Sequence, residues 1–231
     1  MGDFTKILIL CGGKGTRLRP ITEEIPKPMV HLKGKPIIEH ILYLLSRQGF
    51  SEFVIAIGYK GEIIKDYFNR IDNGYKIEFR DAGDCSMMER ILDAKDILGD
   101  TFLVVYGDTI ADVNLKDLLE FHKLNSAGVT ITTYKMQSHF GIVESSDDGR
   151  VIEFKEKPIL DHWINIGFMV FDKVALEQFR KGCNLIEFFN ALIKKGKLYE
   201  YRHNGKHITV NTEKEKQESE KEVIDFYTTE A

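Results

Sequence analysis

The stretch ILILCGGKGTRLRP at residues 7–20, with Lys27-Pro28 close behind it, is the most informative part of this 231-residue chain for its fold. Four consecutive apolar residues predict a buried strand, and the glycines that follow predict a loop at its carboxyl end. Glycines let backbone N–H groups approach an anion closely, while Arg17, Arg19 and Lys27 add positive charge for phosphate oxygens. The stretch therefore predicts a strand that leads into a phosphate-binding loop.

Two better-known phosphate loops do not fit these residues. A P-loop needs Gly-Lys-Ser/Thr four residues after its first glycine, whereas Lys14 is followed by Gly15. The dinucleotide-binding fingerprint needs a third glycine at the position that Leu18 occupies. The remaining pattern is Gly-Gly-x-Gly-Thr-Arg-x-x-Pro with a downstream Lys-Pro.

Composition narrows the class of partner. The net charge of -4 disfavours a nucleic-acid surface, and the basic residues lie in short motifs, so small anions are the expected ligands. No apolar run approaches the roughly 18 residues of a membrane span, and the first residues lack the apolar region of a signal peptide. Three widely spaced cysteines form no metal-ligand cluster, and Cys11 is expected to be a small buried packing residue. We therefore expect a cytoplasmic protein with no membrane partner.

Strand-like and helix-like apolar segments alternate along the first half of the chain, which predicts an α/β fold. Such alternation builds a Rossmann-like, mostly parallel sheet flanked by helices, with ligands at the carboxyl ends of its strands. Without a linker or repeat, residues 1–231 are expected to form a single domain. The expected early elements are strands over 6–10, 53–57 and 101–106 and helices over 37–47, 63–68 and 89–98.

The second half of the chain predicts a small β-hairpin beside the sheet. Residues 142–144 and 151–154 read as its strands around the turn Asp147-Asp148-Gly149, and such a hairpin often covers a substrate site. A capping box at 212–215 predicts the start of a terminal helix over about 212–228, whose apolar residues would pack on the core or on a second subunit. A homo-oligomer is therefore left open. The other expected elements are a helix over 115–124, strands over 129–135 and 163–171, a helix over 185–195, and those terminal apolar residues Val223, Ile224, Phe226 and Tyr227.

Five segments, in order, resemble the motifs of sugar-1-phosphate nucleotidylyltransferases, which join a sugar phosphate to a nucleoside triphosphate and release pyrophosphate. Besides the loop, they are KPIIE at 35–39, YGD at 106–108, EKP at 156–158 and NIG at 165–167. The resemblance covers roughly residues 5 to 215. It implies a nucleotidyltransferase fold like that of GT-A enzymes, with a nucleotide-binding part over about 1–115 and a sugar-phosphate-binding part over about 116–212.

The same resemblance assigns a role to each matching residue. Arg17 and Lys27 would be catalytic, stabilising charge on the phosphates, and Asp108 and Asn211 would bind Mg²⁺, the expected cofactor. For Asp108 the alternative is a cap for the helix that begins at Leu115, and for Asn211 it is a plain turn residue. The nucleotide-binding residues would be Leu10, Gly12, Gly13, Gly15, Thr16 and Gly107, and the sugar-phosphate-binding residues would be Gly141, Glu156, Lys157, Asn165 and Gly167.

This chemistry needs no nucleophilic side chain, because the attacking phosphate carries its own negative charge, with a second pKa of about 6. What it needs are cations, backbone amides and a metal ion to stabilise the added charge of the transition state. The histidines, among them His122, His139, His162, His203 and His207, are expected on surfaces and receive no chemical role.

One segment departs from the family. Where many relatives carry a glycine pair before the helix that touches the base, this chain reads DCSMMERI at 84–91, and its bulky methionines leave base recognition open. The Arg90-Ile91 pair and the GYKG stretch at 58–61 resemble glucose-1-phosphate cytidylyltransferases, which slightly favours CTP. The alternatives are a cytidylyltransferase for a non-sugar phosphate and a catalytically silent nucleotide-sugar-binding regulator. A glycosyltransferase is disfavoured, since residues 108–110 are not Asp-x-Asp.

Overall fold

A computed structural model describes residues 6–72, 74–179 and 182–228. The strands are β1 Ile7–Leu10, β2 His31–Leu32, β3 Lys35–Pro36, β4 Glu52–Ile57, β5 Lys76–Asp81, β6 Thr101–Tyr106, β7 Thr109–Ala111, β8 Val129–Gln137, β9 Ile142–Ser145, β10 Val151–Lys155, β11 Ile159–Asp172, β12 Leu198–Arg202 and β13 His207–Thr209. The α-helices are α1 Ile21–Glu24, α2 Ile37–Ser46, α3 Gly61–Arg70, α4 Met87–Ala94, α5 Leu115–Leu124, α6 Leu185–Lys194, α7 Glu213–Glu222 and α8 Asp225–Thr228. Short 3₁₀ turns cover Thr16–Leu18, Lys27–Met29, Lys95–Ile97 and Lys173–Gln178.

The central sheet has seven strands in the order β12-β8-β11-β6-β1-β4-β5. Strand β11 runs antiparallel to both of its neighbours, and the other ladders of this sheet are parallel. Its three central parallel strands, β6, β1 and β4, are almost entirely apolar, as expected of parallel strands covered on both faces. The predicted α/β fold with a mostly parallel, helix-flanked sheet is confirmed. The proposed halves both contribute strands to this one sheet, and their division into binding parts stays a prediction.

Alternate residues of each strand supply two hydrophobic cores, one on each face of the sheet. Ile7 and Ile9 point into the core formed with α2, α3, α5 and the end of the C-terminal helical segment. Leu8 points to the other face, where α4 and α6 pack. Burying one such side chain stabilises the fold by about 1.5–3 kcal/mol. The two cores hold the strand ends, and therefore the loops that follow them, in place.

The strand register brings the predicted loops to one edge of the sheet. Leu10, at the end of β1, pairs with Ala56 of β4 and Tyr106 of β6. The loop after β1 and the Gly107-Asp108 turn after β6 therefore leave the sheet side by side. Because β11 runs in the opposite direction and pairs Phe168 with Val105, its preceding residues enter from the same edge. Ligand sites of open α/β sheets lie at this edge.

The predicted hairpin is present as strands β9 and β10, which pair antiparallel around a turn where Gly149 has φ +85°. These two strands form their own two-stranded sheet, separate from the central one. Most of their side chains are exposed, so the hairpin projects from the domain as a ribbon.

The C-terminal helical segment starts as predicted but with half of the expected capping box. Thr212 caps α7 by accepting a hydrogen bond from the Glu215 N–H, whereas the Glu215 carboxylate accepts from the Asn211 N–H. The first and third of the four apolar residues predicted there, Val223 and Phe226, are buried in the core. Tyr227 stacks on Tyr43 with ring centroids 4.6 Å apart. Ile224 is 46% exposed.

Most predicted elements are found, and their ends differ from the predicted bounds by at most four residues. The strand over 101–106 and the helix over 115–124 have the predicted bounds. The helix expected over 89–98 begins instead at Met87, because Ser86 and Glu89 form a capping box, and it gives way to a 3₁₀ turn at Lys95. Within the described ranges, no helix is both long and apolar enough to span a membrane.

Candidate active site

A cavity of about 710 Å³ opens at the carboxyl edge of the central sheet. The loop after β1 forms one wall, the end of β6 forms the floor, and β11 and β13 form the opposite wall. Ten of the residues singled out from the sequence line it: Leu10, Gly12, Gly13, Gly15, Thr16, Arg17, Lys27, Asp108, Asn165 and Asn211.

Five other predicted residues do not line this cavity. Two of them are in or next to the strands that form the cavity: Gly107 follows β6 and Gly167 lies within β11. The other three, Gly141, Glu156 and Lys157, lie at the base of the hairpin. Of the residues predicted to bind the sugar phosphate, only Asn165 therefore lines the cavity, and those at the hairpin base lie outside it. The binding roles of all five stay predictions.

The glycine loop is held in shape by its neighbours. Gly15 has φ +60°, and a Cβ there would lie 3.0 Å from the Thr22 side chain and 3.2 Å from Lys27 Cβ. Thr22 Oγ1 also donates a hydrogen bond to the Gly15 carbonyl at 2.9 Å. Gly13, Thr16 and Arg17 are exposed on the cavity side. The loop therefore presents backbone amides and one exposed guanidinium, that of Arg17, to a ligand.

A buried arginine, Arg90, lies behind the start of this loop. Its guanidinium donates to the carbonyl of Gly83 at 2.7 Å, to that of Ile57, and to that of Gly12 at 3.4 Å. A Cβ on Gly12 or Gly58 would overlap the guanidinium, so both glycines are required for its position. In the sequence, Arg90 stands out only through the family resemblance of the Arg90-Ile91 pair. The sequence feature that could have indicated its burial is the presence of Gly12 and Gly58 shortly after β1 and β4, two adjacent strands.

The ends of β1 and β6 approach each other closely at Cys11 and Gly107. A Cβ on Gly107 would overlap the Cys11 sulfur and lie 2.9 Å from the Leu10 carbonyl oxygen. Cys11 is 1% exposed, which confirms it as a buried packing residue. Burial, and then the negative charge of Asp108, raises the pKa of its thiol well above its usual range. The thiol stays protonated and unreactive.

Three polar side chains distant in sequence meet at the cavity floor. Lys27 Nζ donates to Asp108 Oδ2 at 2.7 Å and to Asn211 Oδ1 at 3.1 Å. Lys27 is only 6% exposed, so the two oxygens compensate a desolvated cation. The predicted alternative for Asp108, a helix cap, is wrong, because Asn114 caps α5. The cluster places one fixed positive charge beside two oxygen ligands.

The donor set of this cluster fits a magnesium ion. A carboxylate and an amide carbonyl are hard oxygen ligands, and their contact with one ammonium group places them within reach of a common cation. Mg²⁺ commonly takes one or two protein oxygens and completes its shell with substrate phosphates and water. Asp108 and Asn211 are the residues that would hold it.

A short ladder between β7 and β13 brings Asn211 to this position. Thr209 pairs with Thr109, next to Asp108, and His207 pairs with Ala111. His207, Thr209 and Asn211 alternate along the chain, and all three line the cavity. Burial, and then the charge of His203, lowers the pKa of His207 to about 4 against the opposing effect of Asp108. His207 is therefore a neutral cavity residue and not the surface residue expected from the sequence, although its alternation with Thr209 and Asn211 could have indicated its position.

The expectation that the histidines lie on surfaces is wrong for two more of them. His122 is 2% exposed and contacts Thr130 Oγ1 at 2.8 Å and Asp172 at 3.2 Å. His203 is 7% exposed, 3.0 Å from Asp112. Burial lowers the pKa of His122. Both pack inside because a carboxylate is within reach, whereas His139 and His162 are exposed as predicted.

At the opposite wall, Gly167 allows β11 to pass close to Tyr106. Gly167 has φ +80°, and a Cβ there would overlap the Tyr106 ring. Its N–H donates to Asn165 Oδ1 at 2.9 Å, which holds the Asn165 side chain in place. Burial, and then Asp108, raises the pKa of Tyr106 to about 12, so the phenol is neutral. This wall is therefore uncharged and hydrogen-bonding.

At the base of the hairpin the remaining predicted residues lie together. A Cβ on Gly141 would lie 2.6 Å from the Phe154 ring and 3.1 Å from Glu156 Oε2. Lys157 has φ +46°, and its carbonyl accepts a hydrogen bond from Gln137 Nε2 at 3.2 Å. The side chains of Glu156 and Lys157 are exposed.

The two methionines that raised the question of base recognition have different surroundings. Met88 is fully buried in the core under the sheet, whereas Met87 lines the cavity beside Cys85 and Arg90. Only Met87 of the two methionines therefore faces the part of the cavity that the glycine pair of many relatives would leave open.

Comparison with known proteins agrees with this geometry. Residues 6–217 match the family described as Nucleotidyl transferase. The chain belongs to this family. Across 90% of its length it is 37% identical to the "Probable glucose-1-phosphate cytidylyltransferase" of Bacillus subtilis strain 168, covering 92% of that protein. It is also 34% identical to the glucose-1-phosphate cytidylyltransferase of Salmonella typhi, over 87% of this chain and 88% of the relative.

Solved structures of the same fold extend the comparison. The crystal structure of HddC from Yersinia pseudotuberculosis superposes with a TM-score of 0.73 at 22% identity, covering 95% of this chain and 99% of that one. A second structure of HddC was solved in complex with GMP-PN. These structural similarities bear on the fold of this nucleotidyltransferase, and the sequence relatives bear on its chemistry.

Proposed function

We propose that the protein is a Mg²⁺-dependent sugar-1-phosphate nucleotidylyltransferase with a preference for CTP. The observation that carries this proposal is the meeting of Lys27, Asp108 and Asn211 at the floor of a cavity whose opposite wall is the glycine loop. A polyphosphate in this cavity would face backbone amides, two cations and a pair of metal ligands.

In the proposed reaction, a phosphate oxygen of the acceptor attacks the α-phosphorus of the nucleotide. A new phosphorus–oxygen bond forms, the bond from the α-phosphorus to the oxygen bridging to the β-phosphorus breaks, and pyrophosphate leaves with that electron pair. No proton has to be removed from the attacking group, whose second pKa is about 6. The chain's task is to bring two anions together and to stabilise the charge that develops.

Two cations divide that task. Arg17 is exposed at the mouth of the cavity, where its flexible side chain can follow the α- and β-phosphates during transfer. Lys27 is buried and already oriented by two hydrogen bonds, so it needs little reorganisation to stabilise charge. When bound by Asp108 and Asn211, Mg²⁺ would neutralise further charge on the phosphate oxygens.

The acceptor is assigned to the side of the cavity nearer the hairpin. The Asn165 side-chain amide would exchange hydrogen bonds with sugar hydroxyls. Its position is fixed by the hydrogen bond that Asn165 Oδ1 accepts from the Gly167 N–H. Glu156 would bind further hydroxyls and Lys157 the acceptor phosphate. Because these two side chains are exposed outside the cavity, the hairpin base must approach the cavity when the acceptor binds.

The proposed preference for CTP rests on the two sequence relatives, both of which are named as glucose-1-phosphate cytidylyltransferases, one as a probable one. This chain aligns with most of the length of each relative. Met87 and Arg90 line the part of the cavity next to the loop start, where the base would lie. The structural neighbour HddC was crystallised with a guanine nucleotide, so the fold itself does not select the base.

The proposal is tested by measuring pyrophosphate release over a matrix of CTP, UTP, dTTP, ATP and GTP against phosphorylated acceptors, with and without Mg²⁺. We expect the highest rate with CTP, glucose 1-phosphate and Mg²⁺. A higher rate with another nucleotide would refute the base preference. Reaction with CTP and only a non-sugar phosphate would establish the alternative acceptor class. Nucleotide-sugar binding without turnover for any pair would establish the silent regulator.

A further inference from the structure

The last described segment of the chain leads from the cavity floor back to the residues that follow Lys27. We call residues 213–228, which contain α7 and α8, the C-terminal clasp. It begins two residues after Asn211, whose N–H donates to the Glu215 carboxylate at 2.8 Å. The first turn of the clasp is therefore bonded to the backbone of a proposed metal ligand.

Helix α7 contributes little to the core by itself. Its sequence, EKEKQESEKE, has no apolar residue, and Ser219 is buried while its other nine residues are exposed or half-buried. A helix that is polar on nearly all sides gains little from packing, although the Lys216–Glu220 ion pair of 3.1 Å supports it. Its ten residues span about 15 Å. The helix therefore acts as a spacer between the cavity floor and a more distant anchor.

That anchor is the end of the clasp, which packs into the core. Val223 and Phe226 are 1% and 4% exposed. The Tyr227 hydroxyl lies 2.6 Å from Nδ1 of His40 on α2, and His40 Nε2 lies 2.9 Å from the Leu32 carbonyl oxygen. Because a carbonyl can only accept, Nε2 carries the ring proton, and Nδ1 accepts from the Tyr227 hydroxyl. Burial lowers the pKa of His40, which keeps the ring neutral.

The residue that His40 contacts belongs to the segment that carries Lys27. Leu32 lies in β2, which follows the 3₁₀ turn Lys27–Met29. Within this segment the Val30 N–H donates to the Lys27 carbonyl at 3.0 Å, and the Val30 carbonyl accepts from the Ile37 N–H at 2.9 Å. The anchor of the clasp is thus tied through a few hydrogen bonds to the backbone of Lys27.

Two further contacts close the circuit. Lys27 Nζ donates to Asn211 Oδ1 at 3.1 Å, and Lys206 Nζ donates to the Asp225 carbonyl at 2.8 Å. Lys206 immediately precedes β13, a strand of three residues that pairs with β7 in a two-stranded sheet of its own. Such a ladder is marginally stable without further support. The clasp supports it on both sides, at Lys206 before the strand and at Asn211 after it.

We propose that the C-terminal clasp positions Asn211 against Lys27, with Glu215, Tyr227 and His40 as positioning residues. This inference rests on the proposed function, in which Asn211 binds Mg²⁺. When the anchor is loosened, β13 and Asn211 would spend part of the time away from Lys27 and Asp108. Metal affinity falls in proportion to the fraction of molecules that hold the binding arrangement.

The test is the binding of Mn²⁺, used in place of Mg²⁺, measured by electron paramagnetic resonance titration of the full chain. Phe226→Ala should raise the Mn²⁺ dissociation constant by about fivefold, because the anchor loses its buried ring. The matched control is Phe188→Ala on α6, a ring that is 1% exposed in the core on the other face of the sheet. Thermal melting sets a temperature at which both variants are folded. Unchanged affinity in Phe226→Ala, or an equal loss in the control, would overturn the proposal.

A milder variant keeps the proposal testable if Phe226→Ala does not fold. Tyr227→Phe removes the hydrogen bond to His40 and keeps the ring, so the dissociation constant should rise by about twofold. Tyr199→Phe, on the edge strand β12, is its control and should bind Mn²⁺ like the wild type. Equal affinities in these two variants and the wild type would contradict the role of the Tyr227 hydroxyl.

Amide hydrogen exchange over residues 207–211 is a second readout that needs no metal. It should be about tenfold faster in Phe226→Ala, or in Tyr227→Phe to a smaller extent, and unchanged in the controls, because local opening governs exchange. If the wild type binds no Mn²⁺, the proposed metal role fails, and exchange still decides whether the clasp holds Asn211. Exchange that is unchanged in both clasp variants would overturn the clasp itself.

Discussion

The cavity floor and the hairpin ribbon carry the two halves of the proposed substrate site, and they differ in almost every physical respect. At the floor, Lys27 is 6% exposed and bonded to two partners before any ligand arrives. At the ribbon base, Glu156 and Lys157 are exposed and are not among the residues that line the cavity. The charge proposed to stabilise the transition state is therefore preorganised, whereas the groups proposed to bind the acceptor lie on an exposed segment.

The largest effect is expected at the floor. Replacing Lys27→Met should lower turnover by at least about a hundredfold, because a preorganised cation would be lost beside the reacting phosphates. Pyrophosphate release at saturating substrates measures it. Lys14→Met is the matched control, since Lys14 lies on the same loop but is exposed and paired with Asp84 at 2.9 Å. Similar rates in the two variants would remove the contrast between floor and surface.

The ribbon should respond differently from the floor. Glu156→Gln or Lys157→Met should raise the KM for the acceptor by about tenfold, the loss of a hydrogen bond to a charged or polar group. The effect on kcat should be smaller, because neither side chain lies at the reacting phosphorus in the proposed arrangement. Steady-state kinetics with varied acceptor separates the two parameters. A fall in kcat with unchanged KM would place these residues in the chemical step instead.

The role of Asn211, the uncharged one of the two proposed metal ligands, can be tested by measuring metal binding without turnover. Asn211→Asp should tighten the binding of Mn²⁺, used as a spectroscopic substitute for Mg²⁺, by about fivefold, since the site would gain a negative charge. Electron paramagnetic resonance titration reports the free ion directly. Asn165→Asp, on the opposite wall of the same cavity, is the control. Equal tightening by both variants would mean that the effect is general charge and not ligation.

The smallest effect concerns pH. Burial holds the pKa of His207 at about 4, below the 6.5 of an unfolded histidine, so below pH 6.5 the unfolded chain binds a proton that the folded chain does not. This contribution to stability is full above pH 6.5 and is lost as the pH falls towards 4. In thermal melts, His207→Asn should therefore lose stability less steeply than the wild type over that interval. The exposed His139→Asn should follow the wild type.

Local pattern was enough to predict most of the framework. The apolar run before the glycine loop, the β/α alternation and the turn Asp147-Asp148-Gly149 all appear where they were expected. What failed were boundaries and burial. Ser86 caps α4 so that the helix starts two residues before the predicted Glu89, and His122 and His203 are buried because Asp172 and Asp112 are within reach of their rings. A partner that comes from another part of the chain leaves no local pattern.

Local sequence is sufficient to predict that a glycine loop follows a buried strand, and which residue types could bind a polyphosphate. The contact of Lys27 with Asp108 and Asn211, which lie 81 and 184 residues away along the chain, depends on the folded arrangement of the strands. That arrangement also places Glu156 and Lys157 outside the cavity. The physical reason is that periodicity and glycine conformation act over a few residues, whereas strand order and register determine which distant side chains meet.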